Sequence, residues 1–427
     1  WSAIWLMRAG SCLIDSCNFI DCARETNGYS SGAIQPSFVN DLEIRNFTIT
    51  AHSPGTGYGI AAMGFGRPRA AWKRVNIHHG TIDLKGTAAW NNGEAANISI
   101  EGNLTWPIEE CEIHHCSLNA QVSFPGGAEM KRTNKPTLRF HHNTMPLLTV
   151  QDAAVTYALE LSLDDCEVDH NYIEGGSWFI AGFYQPRTNI SIHHNVIANQ
   201  HSKWVWSIIV KDATDLLVYN NVWHWLEGDM GNSIFGLQGP IDGLVFQNNI
   251  IAVSDEVANS INRPFRFFRN ATWGNPAPTY EISNLFVRNN RYTNTEISPS
   301  EWPGVWSDNL EEAPQWTAEG DTPSERYVPS GSQSNLVDAG STEGLDASEF
   351  QGNAPDIGAF EYAPATGIIS RIPAALSMRP TVQVAPAVFD VRGRAIAKYR
   401  RLPAGVFIQT MVSGRSRSLM SFQKHSR

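Results

Sequence analysis

The hydrophobic pattern is dominated by one recurring unit, apolar-x-apolar-x-x-N-x-apolar. It reads LRFHHNTM around Asn143, CEVDHNYI around Asn171, ISIHHNVI around Asn195, LLVYNNVW around Asn221, LVFQNNII around Asn249 and LFVRNNRY around Asn290. Earlier copies place other residues at the Asn position: Cys17 in CLIDSCNF, Phe47 in LEIRNFTI, Gly80 in VNIHHGTI and Cys116 in CEIHHCSL. Two apolar residues at period two predict a short strand with one face inward. The Asn is expected to turn the chain, because it tolerates a left-handed backbone and its amide can pair with the same amide one coil away. The next apolar residue then starts another strand. No single coil can bury its own apolar face, whereas stacked coils share one core. The pattern therefore predicts an all-β chain, a right-handed parallel β-helix of about ten coils. A helical solenoid would need apolar spacing near 3.6 and fewer Asn and Gly.

Within this repeat Cys12, Cys111 and Cys166 share an inward strand position, while Cys17 and Cys116 share the ladder position. They read as packing residues, since no CxxC pair or Cys/His cluster has metal-ligand spacing. The pairs His78–His79, His114–His115, His141–His142 and His193–His194 all fall at the strand-to-turn junction. Recurrence at one repeat position makes them part of the repeat; no metal is expected, and calcium has no motif in its favour.

Toward the C-terminus PDIGAFEY, from Pro355 to Tyr362, resembles the closing segment of bacterial β-helix surface proteins. The β-helix is expected over 1–362, a Pro/Ala/Ser-rich linker over 363–380 and a small β-sandwich-like domain over 381–427. Within that domain Val388 to Phe422 contains D-x-x-G-R and L-P-A-G-V-F. This stretch resembles the C-terminal sorting domains of the type IX secretion system. The resemblance implies a bacterial protein that is secreted or attached to the cell surface. The chain opens at Trp1 inside a repeat, which suggests a larger precursor whose missing part held the export signal. No apolar run is long enough to span a bilayer as a helix.

Charge narrows the partner. Eleven of the 32 Lys and Arg, but one of the 42 Asp and Glu, lie between Ala363 and Arg427, so the first 362 residues carry a net charge of −20. Such a body repels nucleic-acid phosphates and anionic polymers, and a neutral polysaccharide is the easier partner. All 14 Trp lie between Trp1 and Trp316. An indole stacks on the apolar face of a sugar ring. Trp178, Trp90 and Trp273 are the expected surface candidates; Trp206 and Trp223 are expected to point inward.

The strands before each Asn-turn strand are GAEMKR, YALELS, WFIAGFY, WSIIVK and IFGLQG. With Met130, Leu161, Phe183, Val210 and Leu237 inward, the outward stripe is Glu129 and Lys131, Glu160 and Ser162, Trp178 and Tyr184, Ser207 and Lys211, and Gln238. From it come the expected carbohydrate-binding residues Trp178, Tyr184, Glu129, Lys131, Glu160, Lys211 and Gln238. Glu129 and Glu160 on adjacent coils would lie about 5 Å apart, a separation that suits a retaining glycosidase. A neighbouring Lys would suit a lyase base, and an ion-paired ladder is the plainer reading. The polygalacturonase pattern is present only as Asp164–Asp165, without GHG or RIK, and no Asp cluster of pectate-lyase type is found. In its layout the chain resembles the large parallel β-helix carbohydrate-binding modules attached to bacterial xylanases. That resemblance implies a non-catalytic module recognising plant cell-wall polysaccharide, xylan first. The alternative is a polysaccharide lyase or glycoside hydrolase using Glu129, Lys131, Glu160 and Lys211.

Overall fold

The computed structural model describes residues 3–7, 9–22, 32–37, 39–51, 58–62, 72–84, 96–100, 102–103, 108–124, 126–127, 137–146, 157–181, 186–199, 206–226, 233–260, 265–270 and 280–363. The expected linker and sorting-type domain lie outside the described residues, apart from Ala363. The strands form three parallel sheets of eleven strands each, the architecture of a parallel β-helix. Each coil gives one strand to each sheet; the first coil gives Ile4–Met7, Ser11–Asp15 and Asn18–Ile20. We call these sheets I, II and III. Among the described residues there are eleven coils where the repeat suggested about ten. The extra coil comprises Thr295–Glu296, Val305–Ser307 and Leu310–Glu311. Its sequence, VWSDNLEE, has Glu311 where the repeat expects an apolar residue two places after the ladder Asn. The described residues divide into two compact units, one up to Arg139 and one from Phe140 onward.

In the first unit, parallel register stacks like on like. Cys12, Leu42, Val75 and Cys111 form one inward row of sheet II, and Ile14, Ile44, Ile77 and Ile113 form the next. Each fully buried aliphatic side chain contributes about 1.5–3 kcal/mol, so the Ile row alone is a large share of this unit's core. The ladder position holds Cys17, Phe47, Gly80 and Cys116. A Cβ at Gly80 would sit 2.1 Å from the Phe47 ring, so the ring occupies the space the glycine leaves. Cys116 Sγ donates to His114 O at 3.4 Å and to Ile77 O one coil back. The six cysteines are free thiols, as the packing reading requires.

The second unit carries the Asn ladder. The amide oxygens of Asn171, Asn195, Asn221, Asn249, Asn290 and Asn309 each accept the backbone N–H of the Asn one coil earlier, at 2.9–3.2 Å. Nδ2 of Asn195 also donates to His193 O at 2.9 Å and Val168 O at 2.8 Å. Those acceptors, two residues back and one coil back, correspond to the carbonyls that the Cys116 thiol meets. The thiol is a weak substitute for the amide in one and the same turn. The left-handed residue is not the ladder Asn. It is the residue before it: His142, His170, His194, Asn220, Asn248 and Asn289 all have φ of 50–56°. The Asn amide holds the turn from inside while its neighbour supplies the bend.

Residues 313–362 return along the outside of the second unit. Tyr327, Leu336, Ile357 and Ala359 pack on Val196, Val222, Ile250 and Ala252 of sheet III. Gly358, at φ +105°, fits where a Cβ would lie 2.7 Å from Ile250 Cδ1. The Asn220 side chain donates to Asp356 O at 2.6 Å, Asn248 to Ser341 O at 2.9 Å and Asn289 to Ala339 O at 3.2 Å. The left-handed column thus holds Asn under this segment and His at 142, 170 and 194.

Candidate functional site

Of the expected binding residues, Glu129, Lys131 and Tyr184 lie outside the described residues, as do Trp90, Trp204 and Trp273. Glu160 is half-buried on sheet I, level with Phe179 on the next coil, and Phe179 is level with Ile209. Lys211 is half-buried and level with Ala181. Two coil spacings and two residues along the strand put the Glu160 and Lys211 Cα atoms about 12 Å apart. Gln238 follows the strand Ser233–Leu237, half-buried, its N–H donating to Val210 O at 2.7 Å.

Trp178 is a correction. It was expected outward and is 1% exposed, aligned with Leu159 and Ile208 in a buried apolar row. Its expected register was carried from Phe183, five residues away, and that parity does not hold in the strand Ser177–Ala181. Ser162 and Ser207, also expected outward, are buried, and Ser207 Oγ accepts from Trp223 Nε1 at 3.0 Å. Trp223 is buried as expected, and Trp225 joins it in the core. Among the described residues most of the tryptophan argument for sugar stacking is therefore spent on packing; Trp5, at 49% exposure, is the exception.

The outer face of sheet II differs between the units. In the first it carries charges in pairs: Arg45 with Asp15 at 2.9 Å and Glu43 at 3.0 Å, and Arg74 with Asp41 at 3.1 Å. In the second, the row Glu167, Ser191, Leu217, Val245, Phe286, Val305 runs in register across successive coils. Leu217, Val245 and Phe286 are half-buried and Val305 is 51% exposed. A parallel row of Thr188, Thr214, Asp242 and Ser283 flanks it. No protein-family model and no curated protein sequence matches this chain. The assignment of a role thus rests on this face and on the corner beside it.

That corner, at the sheet II edge, collects imidazoles. In the first unit the His78 and His79 Nδ1 atoms lie 2.7 Å apart and those of His114 and His115 2.8 Å apart, with like rings stacked coil on coil. In the second unit His141 and His142 repeat the contact at 2.8 Å, and His193 and His194 at 2.9 Å. Between them the pair becomes Asp169–His170, with His170 Nδ1 2.7 Å from a carboxylate that is 0% exposed. His193 stacks on Tyr219, and its Nε2 meets Glu167 Oε1 at 3.2 Å. Burial, and then the adjacent His193, hold the His194 imidazolium well below its usual pKa. Tyr219 is held protonated by burial and by donating to Glu349 at 2.7 Å, which excludes it as a base. The repeat gave the positions of the His pairs. It did not show that Glu167 and Asp169, on one coil, converge with His193 on the next.

Proposed function

We propose that the chain is a non-catalytic carbohydrate-binding module for neutral plant cell-wall polysaccharide, with xylan as the expected polymer, working beside a catalytic domain in a larger secreted enzyme. The observation that carries the reading is the outer face of sheet II in the second unit. Its partly accessible apolar row Leu217–Val245–Phe286–Val305 lies beside the hydroxyls of Thr188, Thr214 and Ser283 and the carboxylate of Asp242. An apolar track supports the faces of sugar rings, and a polar row alongside supports their hydroxyls. The parallel register repeats the same chemistry every coil, as a linear polysaccharide repeats its unit. The negative charge of the body favours a neutral chain over an anionic one. Binding on an open face should be modest, on the order of micromolar to millimolar.

The test is a polysaccharide panel scored for retardation in affinity gels and for released reducing ends or unsaturated sugars. Val245→Ser with Phe286→Ala should abolish retardation by xylan while the circular dichroism stays unchanged. Retardation that survives both changes places the ligand elsewhere. One observation favours an enzyme instead: Glu167 orients the His193 imidazole as a carboxylate orients a general base. Product release by the parent chain, lost in His193→Gln, would replace the binding reading with a lyase or hydrolase.

A further inference from the structure

We propose that the corner of the second unit binds one divalent transition-metal ion of the zinc class through His141, His142 and Asp169. These three side chains offer ligand atoms within 4.8 Å of one another. The same corner in the first unit holds two His pairs, with Glu43 reaching His78 Nε2 at 3.4 Å, and gives no set of three ligand atoms within that distance of one another among the described residues. The difference is Asp169, which takes the inner imidazole's place on the next coil. It brings a carboxylate with 0% exposure to the edge of a pair that already presents two nitrogens.

The donor set selects the ion. Two imidazoles and one carboxylate suit borderline divalent metals, whereas calcium and magnesium prefer all-oxygen cages. Zinc–nitrogen bonds are 2.0–2.1 Å, so a tetrahedral site needs the Nδ1 atoms to open from 2.8 Å by about half an ångström. His142 is a half-exposed turn residue and can make that adjustment. The Nδ1 proton that the pair shares would move to Nε2 of the same ring, leaving both imidazoles neutral and both Nδ1 lone pairs on the metal. His170 Nδ1, 2.7 Å from Asp169 Oδ1, stands where a supporting residue would fix the carboxylate. A buried carboxylate is costly unless paired, and a cation would add to the partner that Asp169 already has in His170.

Glu167, Asp169 and His193 form a second set within the same reach, sharing Asp169. Two carboxylates and one imidazole make a harder site with a single nitrogen. We place the ion on the His141 side for its bidentate nitrogen pair.

The fold supplies its own control substitutions. Asn occupies the left-handed position of His142 at Asn220, Asn248 and Asn289, and Gln occupies the column of His141 and Asp169 at Gln247. His142→Asn and His141→Gln should therefore fold. The full chain, stripped with a chelator, would be titrated with zinc by calorimetry and with cobalt by visible absorption. The expected result is one equivalent bound at micromolar Kd or tighter, with tetrahedral cobalt bands. His142→Asn, His141→Gln and Asp169→Asn should each weaken it at least tenfold, while Glu167→Gln leaves it unchanged. Calcium should not compete. No zinc binding by the parent chain, or binding that survives both His changes, would overturn the proposal. Loss on Glu167→Gln alone would assign the ion to the other set and equally overturn it.

Discussion

Replacing Asn195 with Ala removes one rung of the ladder from a site with 0% exposure. The Asn171 backbone N–H loses its acceptor, Asn195 Oδ1 at 3.0 Å. The carbonyls of Val168 and His193 lose the Nδ2 donor, although the backbone of Asn195 keeps its own bond to Asn221. An orphaned buried N–H costs about 1–3 kcal/mol, and the missing amide volume adds to it. The expected loss is about 3–5 kcal/mol, read as a lower urea midpoint by far-ultraviolet circular dichroism with Thr144→Ala as a surface control. Two comparisons sharpen the test. Asn195→Cys should cost less, because Cys116 shows a thiol meeting the corresponding carbonyls. Asn309→Ala should also cost less, because that rung is half-exposed and water can replace the lost acceptor. A loss below about 1 kcal/mol for Asn195→Ala, or an equal loss at Asn309, would refute the account of the ladder as a buried hydrogen-bond network.

Trp178→Ala should lower stability by about 3–5 kcal/mol, as loss of a buried ring does, and leave polysaccharide retardation intact; lost binding with an unchanged melting curve would return Trp178 to the surface. In the closing segment, burial and then the Asp356 charge push the Glu361 carboxyl up to about 7, and burial pushes Asp356 up to about 6. Both bind their protons more tightly folded than unfolded, so they withdraw stability as pH rises from the ordinary carboxylate range through those values. His224, whose pKa burial lowers to about 4, acts in the opposite sense and withdraws stability as pH falls from about 6.5 to 4. Glu361→Gln should therefore leave the His224 effect less opposed, and protection factors in residues 313–362, corrected for the intrinsic pH dependence of amide exchange, should fall between pH 6.5 and 4.5 relative to the parent chain; factors that rise there would contradict the sign. Burial pushes the Cys116 thiol up to about 12 and raises Cys111 further, so native alkylation at pH 8 should reach Cys22 well before either; early labelling of Cys111 would show that the first unit opens.

The repeat by itself determined the sheets II and III of this protein. Apolar alternation followed by Asn at a fixed offset aligns each coil on the last, since the Asn195 amide must meet both the Asn171 N–H and its own carbonyls. That requirement carries the register across long insertions, and it makes the cysteines at 17 and 116 intelligible as ladder residues. Sheet I has no such anchor. Its strands follow segments of varying length in the sequence, so parity is not transmitted along the chain, and pairing even shifts register between Tyr157 and Leu159. A one-residue shift inverts every side chain, and Trp178 accordingly lies in the core. The eleventh coil was hidden for a related reason: Asn309 keeps the ladder bond while Glu311 stands where the repeat expects an apolar residue. The His pairs were legible as positions, but only coil stacking brings Asp169, from a later coil, against His141 and His142. Composition can supply ligands; the length of each coil decides which of them meet.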